Sequence, residues 1–261
     1  MVSFTDHLGS DDSKTNTSHL SAAYDAEGQS IPATPVAGDR KIITLRDVRK
    51  DTEVETYIRR GNEHLGECGF TEHGQRHADL VSSIARNILL RLGQKERDAE
   101  LSAIAGYLHD IGNVVSRYIH GQTGAVMAWK ILERLGMPAD EIATVVSAIG
   151  NHDPEELGQP VNQVAAALIL ADKSDVHRSR VRVADPTRFD IHDRVNYAVT
   201  RSFVNVNGGN KTITLELSVD TDISPVMDYF EIFLARMIMC RRAAAFLGCQ
   251  FELLINDTRL L

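Results

Sequence analysis

Histidines and aspartates recur along the middle of this chain at positions where a helix would turn them inward. They are His77, His109, Asp110, His120, His152 and Asp172. Each lies at the end of a predicted helix or on its apolar stripe, where an ionisable side chain is costly to bury alone. One metal ion, or a pair of ions, is a common partner for all six. Imidazole and carboxylate together suit Zn, Mn, Fe, Co or Ni.

The spacing of these residues along the helices predicts that they meet. His77, His109 and Asp172 each lie four residues from an apolar position of the same predicted helix. Residues three or four apart share a helix face, so these three side chains point into one helical core. His120 opens a predicted helix and His152 follows another, so both can reach the same end of the bundle.

Taken singly, none of these residues specifies a metal site. The chain has three His-Asp dipeptides, at 109–110, 152–153 and 192–193, and a capping or surface role would explain any one of them. His120 alone would be interpreted as an ordinary histidine at a helix start. Only the joint pattern favours metal binding.

Apolar residues with helical periodicity predict the elements that position these side chains. One helix is expected over residues 45–65, and glycines at 66 and 69 end it. Five further helices follow, which carry the six histidines and aspartates at their ends or on their stripes. The short loops between them imply a compact helical bundle.

The composition changes after residue 185. Segments 203–206 and 212–217 flank an Asn-Gly-Gly-Asn tetrapeptide, which predicts a β-hairpin. A long helix over about residues 225–247 follows, and residues 251–255 are expected to form a last strand. The fold class is therefore mainly α, with a small C-terminal α+β part.

Three regions are expected from this organisation. Residues 1–40 are rich in Ser, Thr, Asp, Gly and Pro without periodicity, which predicts a flexible N-terminal arm. Residues 41–185 form the helical metal-binding domain. Residues 186–261 form the C-terminal appendage of hairpin, long helix and strand.

The composition bounds the partners and the compartment. The 261 residues carry a formal net charge of −8, which weighs against a nucleic-acid polymer as partner. No apolar run is long enough to cross a membrane, and the first residues do not resemble a signal peptide. The three cysteines form no CxxC pair. We therefore expect a cytoplasmic protein.

Three segments resemble the motifs of the HD-domain superfamily of metal-dependent phosphohydrolases. They are residues 77–81 (His-Ala-Asp-Leu-Val), 107–113 (Tyr-Leu-His-Asp-Ile-Gly-Asn) and 170–175 (Leu-Ala-Asp-Lys-Ser-Asp). The resemblance covers about residues 70–182 and implies an HD-type helical bundle. His73 competes with His77 for the first motif histidine, and the apolar stripe that follows favours His77.

The resemblance also implies a ligand set. His77, His109 and Asp172 would hold one ion, and the two further histidines resemble the subset of the family that holds a second. Those histidines are His120 and His152. Asp110 would then bridge the two ions.

The same resemblance implies an activity, which is hydrolysis of a small phosphate ester, with a nucleotide as one candidate. Asp110 and Lys173 would be catalytic, and Arg117, Arg178 and Arg180 would bind phosphate oxygens. Solvated surface is the alternative for these basic residues. Two other functions stay open: a non-catalytic ligand-sensing or interaction module on the HD fold, and a di-iron oxygenase.

The sequence lacks the motifs of two known subfamilies, so the range of candidate substrates is smaller. The Gly-Tyr-Pro signature of cyclic-di-GMP phosphodiesterases is absent, since residues 152–158 read His-Asp-Pro-Glu-Glu-Leu-Gly. The Glu-Asp pair of alarmone hydrolases is also absent, since residues 111–115 read Ile-Gly-Asn-Val-Val. Neither of these substrates is carried over.

The long C-terminal helix is apolar on more than one side, which predicts burial on several faces. A hairpin and one strand can cover only part of it. Packing on the chain's own bundle is one alternative. The other is self-association through the appendage, whose edge strands can pair across a two-fold axis. We expect a homodimer.

Overall fold

Helices dominate the structure, a computed structural model that describes residues 42–260. These residues all lie in one compact unit. The predicted N-terminal arm lies outside the described residues. The first seven helices are α1 (Leu45–Arg49), α2 (Thr52–Glu67), α3 (Gln75–Arg91), α4 (Glu96–Leu108), α5 (His120–Leu135), α6 (Ala139–Gly150) and α7 (Gln163–Lys173).

Helix α7 is the centre of the bundle. Its residues from Val164 to Ala171 are all buried, because α3, α4, α6 and α9 (residues 226–246) pack around it. An apolar sequence without a polar face is suited to that position. Asp172 and Lys173 therefore leave the central helix at its carboxyl end, within the bundle.

The single helix predicted over residues 45–65 is two helices, α1 and α2. The side chain of Asp51 accepts hydrogen bonds from the backbone N–H groups of Glu53 and Val54, so it caps the start of α2. Periodicity alone missed the break, because Val48 and Val54 both face the core on either side of it.

The C-terminal part combines α8 (Ile191–Ala198) and α9 (Val226–Phe246) with a four-stranded sheet. The strands are β1 (Val199–Asn207), β2 (Thr212–Val219), β3 (Gln250–Ile255) and β4 (Thr258–Arg259), in the order β1-β2-β3-β4. The predicted hairpin, long helix and strand are confirmed. Helix α8 and strand β4 were not predicted, because both are short.

The sheet joins its strands in two different ways. Strands β1 and β2 pair antiparallel through the hairpin, and β3 pairs antiparallel with β4. Strands β2 and β3 pair parallel, with Ile213 opposite Phe251, and α9 forms the crossover between them. The sheet therefore fixes both ends of α9 against the bundle.

Helix α9 buries one face on its own chain. Tyr229, Phe233, Met237 and Cys240 are buried on this face, and α7 is one of the elements they pack against. Another face exposes several large apolar side chains, so the expected self-association stays a prediction. Although α9 is long, neither it nor any other helix within residues 42–260 has the length and hydropathy needed to cross a bilayer.

A tight turn follows α4 and sets the start of α5. Residues Ile111–Val114 form a turn of 3-10 helix. A Cβ atom at Gly112 would lie 2.1 Å from the carbonyl oxygen of His120, so only glycine allows this approach. Ile119 then adopts a left-handed backbone with φ of 56°. This conformation is rare for a β-branched residue and costs on the order of 1–3 kcal/mol.

Gly112→Ala should lower the free energy of unfolding by at least about 1–3 kcal/mol, because the added methyl group forces the turn away from α5. Chemical denaturation measures the change. Gly209→Ala is the matched control, because its Cβ would meet only the side chain of Asn207, at 3.4 Å. The control should stay within about 0.5 kcal/mol of the wild type. Equal stability of the two variants would contradict this account of Gly112.

Candidate metal centre

Five helix ends meet at one end of the bundle, and each brings a histidine or an aspartate. The first turn of α3 carries His77, α4 ends at His109 and Asp110, and α5 begins at His120. His152 lies just after α6, and Asp172 lies in the last turn of α7. The structure thus brings all six predicted ligands together, and the four histidines are almost completely buried.

The first cluster consists of His77, His109 and Asp172. The Nε2 atoms of the two histidines lie 3.2 Å apart. The Oδ1 atom of Asp172 lies 3.3 Å from Nε2 of His77 and 3.6 Å from Nε2 of His109. Three potential ligand atoms therefore surround one point between α3, α4 and α7.

The second cluster consists of His120, His152 and Asp153. The Nε2 atoms of the two histidines lie 3.1 Å apart. The Oδ2 atom of Asp153 lies 3.6 Å from Nε2 of His120. The three residues again place ligand atoms close enough to hold one ion.

Asp110 lies between the two clusters and faces each with a different oxygen. Its Oδ2 atom lies 3.6 Å from Nε2 of His77 and 3.4 Å from Nε2 of His109. Its Oδ1 atom lies 3.4 Å from Nε2 of His120. The Oδ2 atom is buried and has no hydrogen-bond partner among the described residues. This is the placement that a bridging carboxylate requires.

The outer nitrogen of each histidine is already used in a hydrogen bond. The Nδ1 atom of His109 lies 2.8 Å from the carbonyl oxygen of Gly106, and that of His152 lies 2.6 Å from the carbonyl oxygen of Ile149. Both Nδ1 atoms must therefore carry the proton and donate it. The Nε2 atoms are left with their lone pairs, and these face each other in the two clusters.

A divalent metal ion fits this arrangement. Two nitrogen lone pairs about 3 Å apart repel each other unless a cation lies between them. Ligand atoms at about 2.1 Å from one ion lie roughly 3.0–3.4 Å from each other at tetrahedral or cis-octahedral angles. The separations of 3.1 and 3.2 Å between the Nε2 atoms fall in that range.

The charges of the site match a cation. Burial would raise the pKa of Asp172, but Lys173 and the neighbouring imidazoles of His109 and His77 hold that pKa well below its usual range. Burial also lowers the pKa of His152 to about 3, which keeps its imidazole neutral. An ionised carboxylate and a neutral imidazole are the forms in which these groups bind metals.

Asp175 orients His77 and was not among the predicted site residues. Its Oδ2 atom accepts a hydrogen bond from Nδ1 of His77 at 2.7 Å. Arg76 donates two further hydrogen bonds to the same carboxylate, at 2.8 and 3.2 Å. Such carboxylates fix the tautomer and the ring orientation of a ligating histidine. The sequence signal was its position three residues after Asp172, close enough to the end of α7 to face the same site.

Asp153, a member of the second cluster, and Glu156, a neighbour of His120, were also absent from the predicted site residues. Asp153 belongs to the His152-Asp153 dipeptide, which repeats the His-Asp pair at 109–110. Glu156 places its Oε1 atom 2.9 Å from Nδ1 of His120. The loop after α6 has no helical period, so periodicity could not orient these side chains.

A cavity of about 730 Å³ reaches the second cluster through Asp153, and His73 and Arg117 are also part of its wall. This volume is typical of a small-molecule site. The cavity lies between the helical bundle and the C-terminal part of the chain. Asp193 and Asn196 of α8 and Phe233 and Arg236 of α9 also line it.

The four predicted basic site residues occupy different places. Arg117 lines the cavity, 3.4 Å from Nε2 of His120 through its Nη1 atom. Arg180 also lines it, but its guanidinium donates to the carbonyl oxygens of Glu72 and Asp175. Lys173 is buried against the carboxylate of Asp172. Arg178 is not part of the wall.

Two residues were placed ambiguously by the sequence. Arg178 lies over the ring of Tyr197, 5.3 Å from its centroid, which is a structural contact. His73 lines the cavity, and its Nδ1 atom donates to the carbonyl oxygen of Thr71 at 2.8 Å. Within residues 42–260, the clusters that could hold a metal include His77 and do not include His73.

Comparison with known proteins finds similarity over the part of the chain that holds the two clusters. Residues 75–177 match the family model described as HD domain. An uncharacterized protein of Methanocaldococcus jannaschii is 26% identical over 196 residues, covering 66% of this chain and 74% of the relative. A crystal structure of a predicted HD superfamily hydrolase from an uncultured Thermotogales bacterium is 24% identical, covering 52% of this chain and 71% of that one, with a TM-score of 0.40.

Asp175→Asn should weaken metal binding by about 10–100-fold, because His77 loses the acceptor that orients it. Titration with Mn²⁺ followed by calorimetry measures the affinity. Asp51→Asn is the matched control: its carboxylate pairs with Arg134 at 2.9 Å, far from the centre. Both variants should lose stability, but only Asp175→Asn should lose metal affinity. An unchanged affinity in Asp175→Asn would exclude this role.

Under saturating Mn²⁺ the wild type should hold two ions per chain and His152→Ala should hold one, because only the second cluster loses a ligand. Elemental analysis of the dialysed protein gives the stoichiometry. The exposed His64 supplies the control, and His64→Ala should keep both ions. One ion per chain in both wild type and His152→Ala would show a mononuclear centre.

Proposed function

We propose that this protein, whose residues 75–177 match the family model described as HD domain, is a metal-dependent phosphohydrolase of a small phosphate ester, with a nucleotide as one candidate. The arrangement of Asp110 carries the proposal. Its two oxygens face two separate histidine clusters, and one oxygen is buried without a hydrogen-bond partner within residues 42–260. A carboxylate in that position is suited to bridge two cations.

Hydrolysis of a phosphate monoester needs more than acid–base catalysis. The uncatalysed reaction can require an acceleration of about 10²¹-fold, whereas a positioned acid or base supplies about 10²–10⁴. Divalent ions, when bound, would supply Lewis-acid stabilisation of charge and a hydroxide nucleophile near neutral pH. His77, His109 and Asp172 would hold one ion, and His120 and His152, with Asp153, the other.

The chain's own residues then have distinct roles. Asp110 keeps the two clusters at a fixed separation, since each of its oxygens serves one of them. Lys173 acts through Asp172: its ammonium group contacts that carboxylate and holds its pKa well below the usual range, so Asp172 stays ionised. Lys173 is therefore a positioning residue in this proposal.

The cavity supplies the place for the ester. Arg117 lines it beside His120 and offers guanidinium donors to phosphate oxygens, where a fixed cation stabilises developing charge. Arg180 holds the loop after α7 against Glu72 by its hydrogen bonds. Arg180 thus shapes the wall rather than contacting the phosphate in this proposal.

The test is a phosphate-release screen over nucleotides and small phosphate esters, with wild type and Asp110→Ala loaded with Mn²⁺. Asp110→Ala should release phosphate at less than about 1% of the wild-type rate, since loss of one electrostatic group costs on the order of 10²–10³-fold. Its fold should survive, because the apolar stripes supply the core. Far-ultraviolet circular dichroism checks the fold.

Asp222→Ala provides the control, because Asp222 is exposed on the turn before α9 and its turnover should equal that of the wild type. Two results would overturn the proposal. One is full turnover in Asp110→Ala. The other is a wild type that binds metal but releases phosphate from none of the esters; redox-active iron in that protein would favour the oxygenase alternative.

A further inference from the structure

One arginine in the cavity wall comes from outside the HD domain. Arg236 lies in the middle of α9, within the C-terminal part of the chain, and lines the cavity beside Phe233. It is the only basic residue between positions 226 and 240 of this largely apolar helix. A charged side chain on that face of α9 disfavours packing unless an anion or water stabilises the charge.

Within residues 42–260, Arg236 forms no direct ion pair. Among residues 42–260, no carboxylate forms an ion pair with it and no acceptor receives a hydrogen bond from it. Its guanidinium lies over the ring of Phe233, 4.5 Å from the centroid, and that contact fixes its direction. An arginine has five N–H donors, and here none of them reaches a protein oxygen.

The surroundings of Arg236 are those of the metal centre. Burial lowers the pKa of Arg236, Asp172 and Asp153 raise it, and Arg180 and Arg117 lower it further. Both carboxylates have other partners, since Asp172 contacts Lys173 and belongs to the first cluster, and Asp153 belongs to the second. The charge of Arg236 is therefore directed toward the space beside the centre.

The other two arginines of the wall each have a protein group close by. Arg180 donates to backbone carbonyl oxygens, and Nη2 of Arg117 lies 3.8 Å from Oδ2 of Asp153. Arg236 alone of these three has its full set of donors free. A planar guanidinium with free donors is the group that best recognises a phosphate through two parallel hydrogen bonds.

We propose that Arg236 binds the phosphate group of the substrate, so that the C-terminal helix completes the site. This inference rests on the proposed function for the identity of the anion. It assigns to α9 a direct part in substrate binding. The HD segment alone, residues 75–177, lacks this cation.

The experiment measures binding of inorganic phosphate by calorimetry to the full chain, both metal-free and loaded with Mn²⁺. Arg236→Gln should bind phosphate about tenfold or more weakly than the wild type, since hydrogen bonds to charged groups are strong. Arg236→Lys should recover part of the lost phosphate affinity, because lysine keeps the positive charge but lacks the two parallel donors of the guanidinium. Metal content should be unchanged in both variants, and with an ester substrate KM should rise more than kcat falls.

Arg241→Gln is the matched control, because Arg241 is exposed on the same helix and its loss removes the same charge. Phosphate affinity equal to the wild type in Arg236→Gln would overturn the inference, and so would an equal loss in Arg241→Gln. Should Arg236→Gln fail to fold, Arg236→Lys decides by itself, since a wild-type affinity there would exclude recognition by the guanidinium fork.

The two proposals fail in different ways. A wild type that releases phosphate from no ester, but binds inorganic phosphate through Arg236, would refute the proposed function and leave this inference standing. A wild type that hydrolyses an ester, with phosphate binding that does not depend on Arg236, would refute this inference alone.

Discussion

Four imidazole lone pairs and two ionised carboxylates directed into the core of a helical bundle are the constraint on which the rest of this structure depends. Without a cation, the groups around Asp110 repel one another or remain unsatisfied, and burial of an unpaired charge costs several kcal/mol. Two unfavourable local conformations bring these groups together. Gly112 lies against the backbone of His120, and Ile119 takes a left-handed conformation directly before it.

The two parts of the chain contribute different components of the site. Residues 75–177 hold all six predicted ligands and Asp175, the carboxylate that orients His77. The C-terminal part contributes no ligand, but α8 and α9 close the cavity with Asp193, Asn196, Phe233 and Arg236. The exposed apolar side chains of α9 lie away from the face that reaches the cavity, so self-association and substrate binding would use different sides of one helix.

The sequence predicted the part of this site that lies on long periodic helices. His77, His109 and Asp172 extend apolar stripes, so a period of 3.6 residues was enough to turn them toward each other. Asp153, Asp175 and Glu156 follow helix ends, where the period no longer applies and only the three-dimensional path of the loop brings them inward. Arg236 lies on a long helix, but that helix is apolar on several sides. Periodicity therefore could not predict that the side chain of Arg236 would line the cavity. Arg178 was expected to bind phosphate oxygens as a fixed cation, and the structure places it over the ring of Tyr197.

The parallel pairing of β2 with β3 has a consequence for the order in which this protein is made. Residues 75–177 precede α9 and β3 in the chain, so their helices leave the ribosome first. Strand β3 can pair with β2 only after α9 has been synthesised, because two parallel strands need the whole connection between them before their hydrogen bonds can form. During synthesis the four histidines, Asp110 and Asp172 can therefore come together while the cavity still lacks the wall that α9 forms.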